Sequence, residues 1–385
     1  VSVTENAVGA RHRRKQRVVQ EAGMHERLRV ALLFGGRSAE HDVSVLSAGN
    51  VFRALDPLRY EVVPIAITRT GAWQLCTLSD GGFPTTVPEH GPRVALVPGG
   101  SGRLLVLGEE GGPTEPSLDI DVLFPVLHGP FGEDGTVQGA AELAGVPYVG
   151  SGVLGSAAAM DKDAAKRLMR ERGLPIPNFQ SFALGETPSF EAVTAELGRP
   201  VFVKPARLGS SVGVGKAGTA EEFAAAVAEA FRHDRKILVE EYVRGREIEC
   251  GVLENEDGSL LVSLPGEIVP TNRHAFYSYE AKYLDADGAE INVPAELPQR
   301  VLDKVRALSA EAFRTLCCEG MARIDLFLRE DGELLLNEVN TLPGFTKISM
   351  YPKVLEASGV SYAELVDRLI RHALARTRKC EAPEA

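Results

Sequence analysis

Little in this chain suits a protein stapled by disulfides, built around zinc or threaded through a membrane. Its five cysteines, Cys76, Cys250, Cys317, Cys318 and Cys380, are odd in number and form no C-x-x-C spacing, so neither a disulfide framework nor a zinc site is expected. No apolar run approaches the roughly 20 residues that a bilayer-spanning helix needs. The basic stretch from Arg11 to Arg17 is not followed by a signal-peptide core, so a cytoplasmic protein with no membrane partner is expected. Positive charge is also scarce. Against 53 Asp and Glu stand 42 Lys and Arg, a formal net charge of -11, which argues against a general nucleic-acid binder because such a protein needs a basic face. An anionic ligand would need a local cluster of Lys and Arg.

What remains is an ordinary globular composition, 44% hydrophobic and 25% charged over 385 residues, long enough for two or three domains. Residues 1–23, ahead of Met24, read as a flexible basic tail that activity does not require. Leu28 to Phe34 is an apolar run ending in Gly35-Gly36, a buried parallel strand entering a turn. Helical spacing over 43–55 and a strand over 60–67 complete a β-α-β opening. Residues 79–117, rich in Gly, Pro, Ser and Thr, read as irregular hairpins and loops. A strand over 122–127 leads through His128-Gly129-Pro130 to a helix capped near Thr136. Beyond it come a helix from Asp161, strands over 200–205 and 212–216 joined by a Gly/Ser loop, and a helix opened by the capping box Thr219/Glu222. The strand Ile237–Val239, a helix over 297–316 and a hairpin over 322–339 follow. The expected organisation is an α/β domain over 24–150, a small α+β domain over 151–240 and a third over 241–378.

The hairpin carries chemistry. Two apolar runs flank Asp331-Gly332, the dipeptide favoured in two-residue hairpin turns. With those two at the turn, Asp325 faces Glu338 and Arg323 faces Asn340, and all four side chains share one face. Opposed carboxylates with Cβ atoms roughly 5 Å apart are unfavourable unless a cation or a proton intervenes. Oxygen ligands without Cys or His favour Mg²⁺ over zinc, with substrate phosphates completing the shell.

Gly209 to Lys216 reads as a phosphate loop, since small residues let successive backbone N–H groups approach phosphate oxygens. It is not a Walker A loop: the glycine spacing is wrong and Ala217 follows Lys216. Gly213, Gly215 and Gly218 do fit G-x-G-x-x-G before a helix, with Glu240 or Glu241 after the next strand, as an NAD-dependent dehydrogenase would require. Pro205 breaks the strand that should precede the first glycine, and the dehydrogenase reading leaves the carboxylate hairpin unexplained.

One family unites these segments. The runs Gly35-Gly36-Arg37-Ser38-Ala39-Glu40, His128-Gly129-Pro130-Phe131-Gly132-Glu133-Asp134-Gly135-Thr136, Met160-Asp161-Lys162, Lys204-Pro205, Gly209 to Gly213, Glu280-Ala281-Lys282-Tyr283, Arg323-Ile324-Asp325 and Glu338-Val339-Asn340 together resemble the D-alanine–D-alanine ligases of the ATP-grasp superfamily. The likeness runs from about Leu28 to Arg371. It implies an ATP-grasp fold behind an N-terminal Rossmann-like domain, and a homodimer that takes ATP and two D-alanine molecules with two Mg²⁺ or Mn²⁺ ions. The product would be the dipeptide of cell-wall precursors, and the nearest relatives in activity would be D-alanine–D-lactate and D-alanine–D-serine ligases.

The resemblance also implies roles. Glu40 would hold the ammonium of the first D-alanine and His128 would line its pocket. Lys162, Lys204, Ser210, Ser211 and Lys282 would meet ATP phosphates, while Glu240 and Glu247 would engage adenosine. Arg323 would neutralise the transferring phosphoryl group and the oxyanion, a task suited to its planar fork. Asp325, Glu338 and Asn340 would hold the metal ions. Ser349 would meet the second carboxylate, with the Gly344 backbone in the oxyanion pocket. Tyr283 would join Ser210 and Glu40 in a lid closure that excludes water, and the Lys282-Tyr283 pair would favour the dipeptide over the ester.

Overall fold

The computed structural model describes residues 27–78, 82–108, 112–270 and 289–381. The expected tail over 1–23, and Lys282 and Tyr283, lie outside the described residues.

The first sheet grows from the predicted β-α-β unit. Strand β1 (Leu28–Gly35) is followed by helix α1 (His41–Ala54) and by β2 (Tyr60–Ile67), which pairs with β1 in parallel, Leu28 opposite Tyr60. Val30 to Phe34 are fully buried because alternate side chains enter two different cores. Val30, Leu32 and Phe34 join the α1 side, whereas Ala31 and Leu33 join the opposite one. Residues 79–117 hold more order than expected. Strands β3 (Trp73–Leu75), β4 (Arg93–Leu96), β5 (Arg103–Leu107) and β6 (Pro113–Asp119) run antiparallel off β2, while β7 (Val122–Pro125) pairs in parallel with the other edge of β1. Their short Val/Leu runs carry too little pattern alone; the open edge of β2 supplies the template. Helix α2 (Thr136–Ala144) is bracketed by left-handed Gly135 and Gly145.

The middle of the chain holds α3 (Val153–Met160), α4 (Lys162–Glu171), β8 (Phe179–Ala183), α5 (Phe190–Leu197), β9 (Val201–Pro205), β10 (Gly215–Ala217), α6 (Ala220–His233) and β11 (Lys236–Glu241). The α4 helix starts after Asp161, whose side chain accepts from the Ala164 N–H, and α6 starts with the predicted Thr219/Glu222 capping box. Three elements escaped sequence reading. The α3 segment is nearly uniform in polarity, α5 spans only eight residues, and β8 alternates weakly. Strand β10 is also shorter than expected, because Val212 to Val214 stay in the loop. The sheet order is β10-β9-β11-β8, antiparallel throughout. That pairing rules out the dehydrogenase reading, which needs parallel strands joined by a crossover around its glycines.

The third sheet comprises β12 (Gly245–Glu254), β13 (Leu260–Val262), β14 (Gly266–Pro270), β15 (Ala289–Asn292), β16 (Met321–Arg329) and β17 (Leu334–Asn340), in the order β15-β14-β12-β16-β17 with β13 also on β12. Helix α7 (Gln299–Thr315) covers one face, where Ile248, Cys250, Val252, Ile324, Leu326, Leu336 and Val339 are buried with Val305 and Phe313. Each such aliphatic side chain contributes roughly 1.5–3 kcal/mol when taken out of water. The other face is left for polar residues. Helices α8 (Met350–Ala357) and α9 (Tyr362–Glu381) return to the first sheet, and Leu365, Leu369 and Ile370 share a core with Val30 and Phe34.

Candidate active site

The β16–β17 hairpin places Arg323 opposite Asn340 and Asp325 opposite Glu338, as predicted. The route to that register differs from the predicted one. The Arg329 N–H donates to the Glu333 carbonyl at 2.9 Å and the Gly332 N–H to the Arg329 carbonyl at 3.0 Å, so the turn holds Glu330, Asp331 and Gly332, with Gly332 at φ +86°. Next to the turn the strands pair one residue off the predicted register, Leu328 with Leu334 and Leu326 with Leu336. A bulge at Asn337 then restores it. Two departures cancel.

The opposed carboxylates already have cationic side chains as partners. Arg323 donates from Nε and Nη2 to the two oxygens of Asp325, each at 2.7 Å, and its Nε lies 3.0 Å from Glu249 Oε2. Those pairs take no part of Nη1. The guanidinium stays charged, because the carboxylates of Asp325 and Glu249 outweigh its burial. Lys162 Nζ lies 3.4 Å from Glu338. Among the described residues no three His, Cys, Asp or Glu side chains gather as a metal cage. The hairpin instead offers two carboxylates and one amide, a donor set that suits a hard cation once phosphate oxygens complete the shell.

Alternation explains the lysine in the apolar run 201–205. Val201 and Val203 face α5 and α6, while Lys204 faces the cleft with Leu238 and Glu240. Lys204 Nζ is 2.7 Å from Glu240 Oε2 and 3.4 Å from Asn337 Oδ1 on the third sheet. The phosphate loop closes over this floor. Lys162 donates from its backbone to Ala206 and from Nζ to Leu208, at 2.9 and 2.7 Å. Ser210 and Ser211 both adopt left-handed backbone, φ +51° and +59°, a strained state for residues with a Cβ that clusters at functional sites. The Ser210 hydroxyl donates to Glu40, bringing the loop to the first sheet. Glu247 lies on β12 opposite Phe327, on the polar face that also carries Glu249.

Glu40 is buried at the start of α1. Beside it lies a residue that sequence reading gave no role, Glu133, which accepts from the Gly129 N–H at 2.7 Å. Burial, and then the charge of Glu40, push the Glu133 carboxyl up to about 8. His128 Nδ1 lies 2.9 Å from the Leu342 carbonyl and so carries the proton there, while the buried Nε2 has no hydrogen-bond partner among the described residues. The 341–349 loop is held against helix α1: Asn50 donates to the Phe345 carbonyl and Ser47 accepts from the Phe345 N–H. Within it, a Cβ on Gly344 would come 2.7 Å from the Ser349 hydroxyl, so a side chain there would make Ser349 shift. Ser349 also accepts from the Thr346 N–H at 3.0 Å.

The structure therefore gathers Lys162, Lys204, Glu240, Arg323, Asp325, Glu338 and the phosphate loop on one side, and Glu40, His128, Gly344 and Ser349 on the other. Lys282 and Tyr283 are outside the described residues. Three residues were missed: Glu133, Glu249 and Lys166. Lys166 is fully buried, 3.3 Å from Glu240 Oε1, and burial lowers its ammonium to about 8. Only its place four residues after Lys162, on the same helix face, could have marked it.

Two family profiles match the chain, D-ala D-ala ligase N-terminus over residues 29–151 and D-ala D-ala ligase C-terminus over residues 168–371. A D-alanine--D-alanine ligase A of Mesorhizobium japonicum is 58% identical over 358 residues, covering 92% of this chain and 99% of that one. Among solved structures, the D-alanine-D-alanine ligase from Coxiella burnetii superposes with a TM-score of 0.80 at 35% identity, covering 92% and 96% of the two chains. The VanG D-Ala:D-Ser ligase from Enterococcus faecalis gives 0.77 at 33%, covering 90% and 100%.

Proposed function

The chain belongs to the D-alanine–D-alanine ligase family, and we propose that it condenses two D-alanine molecules with ATP through a D-alanyl phosphate. The observation that supports this best is the meeting of two separately read elements, the Lys-lined phosphate loop and the Arg323–Asp325–Glu338 hairpin, with Glu40 bonded to Ser210 at their edge. The dipeptide is a precursor of peptidoglycan.

In this reading the first D-alanine is held by its ammonium on Glu40, and its carboxylate attacks the γ-phosphate. Phosphoryl transfer asks the protein chiefly for position and for positive charge. Lys162 and Lys204 hold the phosphates from the loop side, and Arg323 faces the transferring group with Nη1. Asp325, Glu338 and Asn340 would hold two Mg²⁺ or Mn²⁺ ions, which neutralise charge on the phosphates when bound. The amine of the second D-alanine, its carboxylate on Ser349, then attacks the acyl phosphate carbonyl. Negative charge grows on that oxygen and is met by Arg323 and the Gly344 backbone before phosphate leaves. His128, with Nδ1 on the Leu342 carbonyl, keeps Nε2 as an acceptor beside the 341–349 loop. Glu247 meets adenosine; Glu240, turned inward onto two lysines, acts on the nucleotide through them. Tyr283 and Lys282 belong to the same reading as lid residues. By family likeness the protein is a cytoplasmic homodimer, and no helix among the described residues is long and apolar enough to cross a membrane.

ADP release by the purified protein, with ATP, Mg²⁺ and D-alanine and products identified by mass, tests the activity. D-alanyl-D-alanine with no turnover on L-alanine is the expected outcome. Preferential product with D-serine or D-lactate as acceptor would move the protein to those ligases, and no turnover with any D-amino acid would contradict the reading.

A further inference from the structure

We propose that Lys166 is a positioning residue for the nucleotide, acting through Glu240 to keep a net positive charge on the floor of the phosphate site. The inference rests on the reading that Lys204 meets ATP phosphates. Lys166 stands in the middle of α4, one turn beyond Lys162, and its side chain is 0% exposed. An ammonium withdrawn from water needs an opposite charge nearby. The partner is Glu240, itself 3% exposed, whose Oε1 lies 3.3 Å from Lys166 and whose Oε2 lies 2.7 Å from Lys204. Phe179, directly opposite Glu240 on β8, closes the other side with its ring centroid 5.8 Å from Lys166 Nζ.

Two ammonium groups thus share one carboxylate. Glu240 alone would neutralise Lys204 and draw it inward; with Lys166 on the second oxygen, the cluster keeps one positive charge. Of its three members only Lys204 is appreciably exposed, 13% at the side chain, so that charge is delivered where Lys204 reaches Asn337 on the third sheet. In a low-dielectric pocket a charge at this range acts on phosphate far more strongly than a surface lysine does. Lys166 touches no substrate in this scheme.

The test is steady-state ADP release by Lys166→Met in the full chain, with KM for ATP, KM for D-alanine and kcat measured separately and Tm recorded. The expected result is a KM for ATP raised about 10-fold, with kcat and the D-alanine KM within about twofold. A purely structural lysine would lower Tm and the active fraction but leave the KM for ATP alone, and that result overturns the proposal. Lys204→Met separates the two readings. If it raises the KM for ATP and Lys166→Met adds nothing in that background, Lys166 acts through Lys204. A normal KM for ATP in Lys204→Met would instead sink the phosphate role of Lys204 itself. Should Lys166→Met fail to fold, Lys166→Gln takes its place, with an unchanged KM for ATP again overturning the proposal.

Discussion

Glu240 and Glu133 are both buried, yet their surroundings drive them to opposite states. On the nucleotide side, Lys166 and Lys204 lower Glu240 below the usual carboxylate range against the cost of burial. On the substrate side Glu133 has two backbone N–H groups and a distant Lys162 in its favour; burial and the charge of Glu40 outweigh them and lift it to about 8. Burial alone says nothing about charge. What decides is whether an opposite charge has been buried alongside: Glu240 lies between two ammonium groups, whereas Glu133 lies beside a second carboxylate, Glu40.

The largest break in that contrast should come from Glu240→Leu. Lys166 and Lys204 would lose their counter-charge, and urea unfolding should show a loss of about 3–5 kcal/mol. A change below about 1 kcal/mol would mean that the cluster is wetter than it stands here. Arg323→Met tests the same rule on the hairpin, where Asp325 and Glu249 would lose their cation; kcat should fall about 10²- to 10³-fold, by the scale of a lost oxyanion donor. Retention of kcat would place the transferring phosphoryl elsewhere.

Stability against pH sharpens the contrast further. With its folded carboxyl raised to about 8 from an ordinary 4.5, Glu133 contributes stability that is fully present below 4.5 and is lost as pH rises through 8. Lys166, lowered to about 8 from 10.5, contributes stability present above 10.5 and lost as pH falls through 8. Between pH 5 and 8, Glu133→Gln should flatten the decline in unfolding free energy by up to about 1.4 kcal/mol per pH unit, and Lys166→Met should remove a rise between 8 and 10. Identical slopes in wild type and variants would refute both. The smallest effect concerns the link between the sides. Ser210→Gly relieves a left-handed serine but removes the hydroxyl on Glu40, so stability should stay within about 1 kcal/mol while the KM for D-alanine rises.

Much of this was legible in the chain. The β-α-β opening, the Thr219/Glu222 cap and the Lys204 anomaly all follow from local pattern, and local pattern is what sequence displays. The hairpin is more instructive. Its site register was predicted from a two-residue turn; the actual turn has three residues, and the bulge at Asn337 offsets the error. Ile324 and Leu326 on the α7 face put Asp325 on the polar face, but Leu334 and Leu336 would carry Glu338 to the α7 side. The extra residue Asn337 shifts the alternation so that Val339 packs against α7 and Glu338 joins Asp325, and the predicted pairing therefore depends on a bulge that the sequence does not display. Strands β4 to β6 were read as irregular hairpins and loops because each is short and set among turn residues, although each pairs with its neighbour in the chain. Lys166 and Glu133 were silent for a different reason: a lysine on a helix or a glutamate in a loop reveals its burial only when distant elements pack over it.

The most direct test of the account is to supply D-alanine labelled with ¹⁸O in its carboxylate and to examine the phosphate released during turnover. Attack of that carboxylate on the γ-phosphate, with ADP as the other product, predicts one ¹⁸O in each phosphate formed. Unlabelled phosphate, or label recovered in AMP, would contradict a site built to transfer phosphoryl to the first D-alanine.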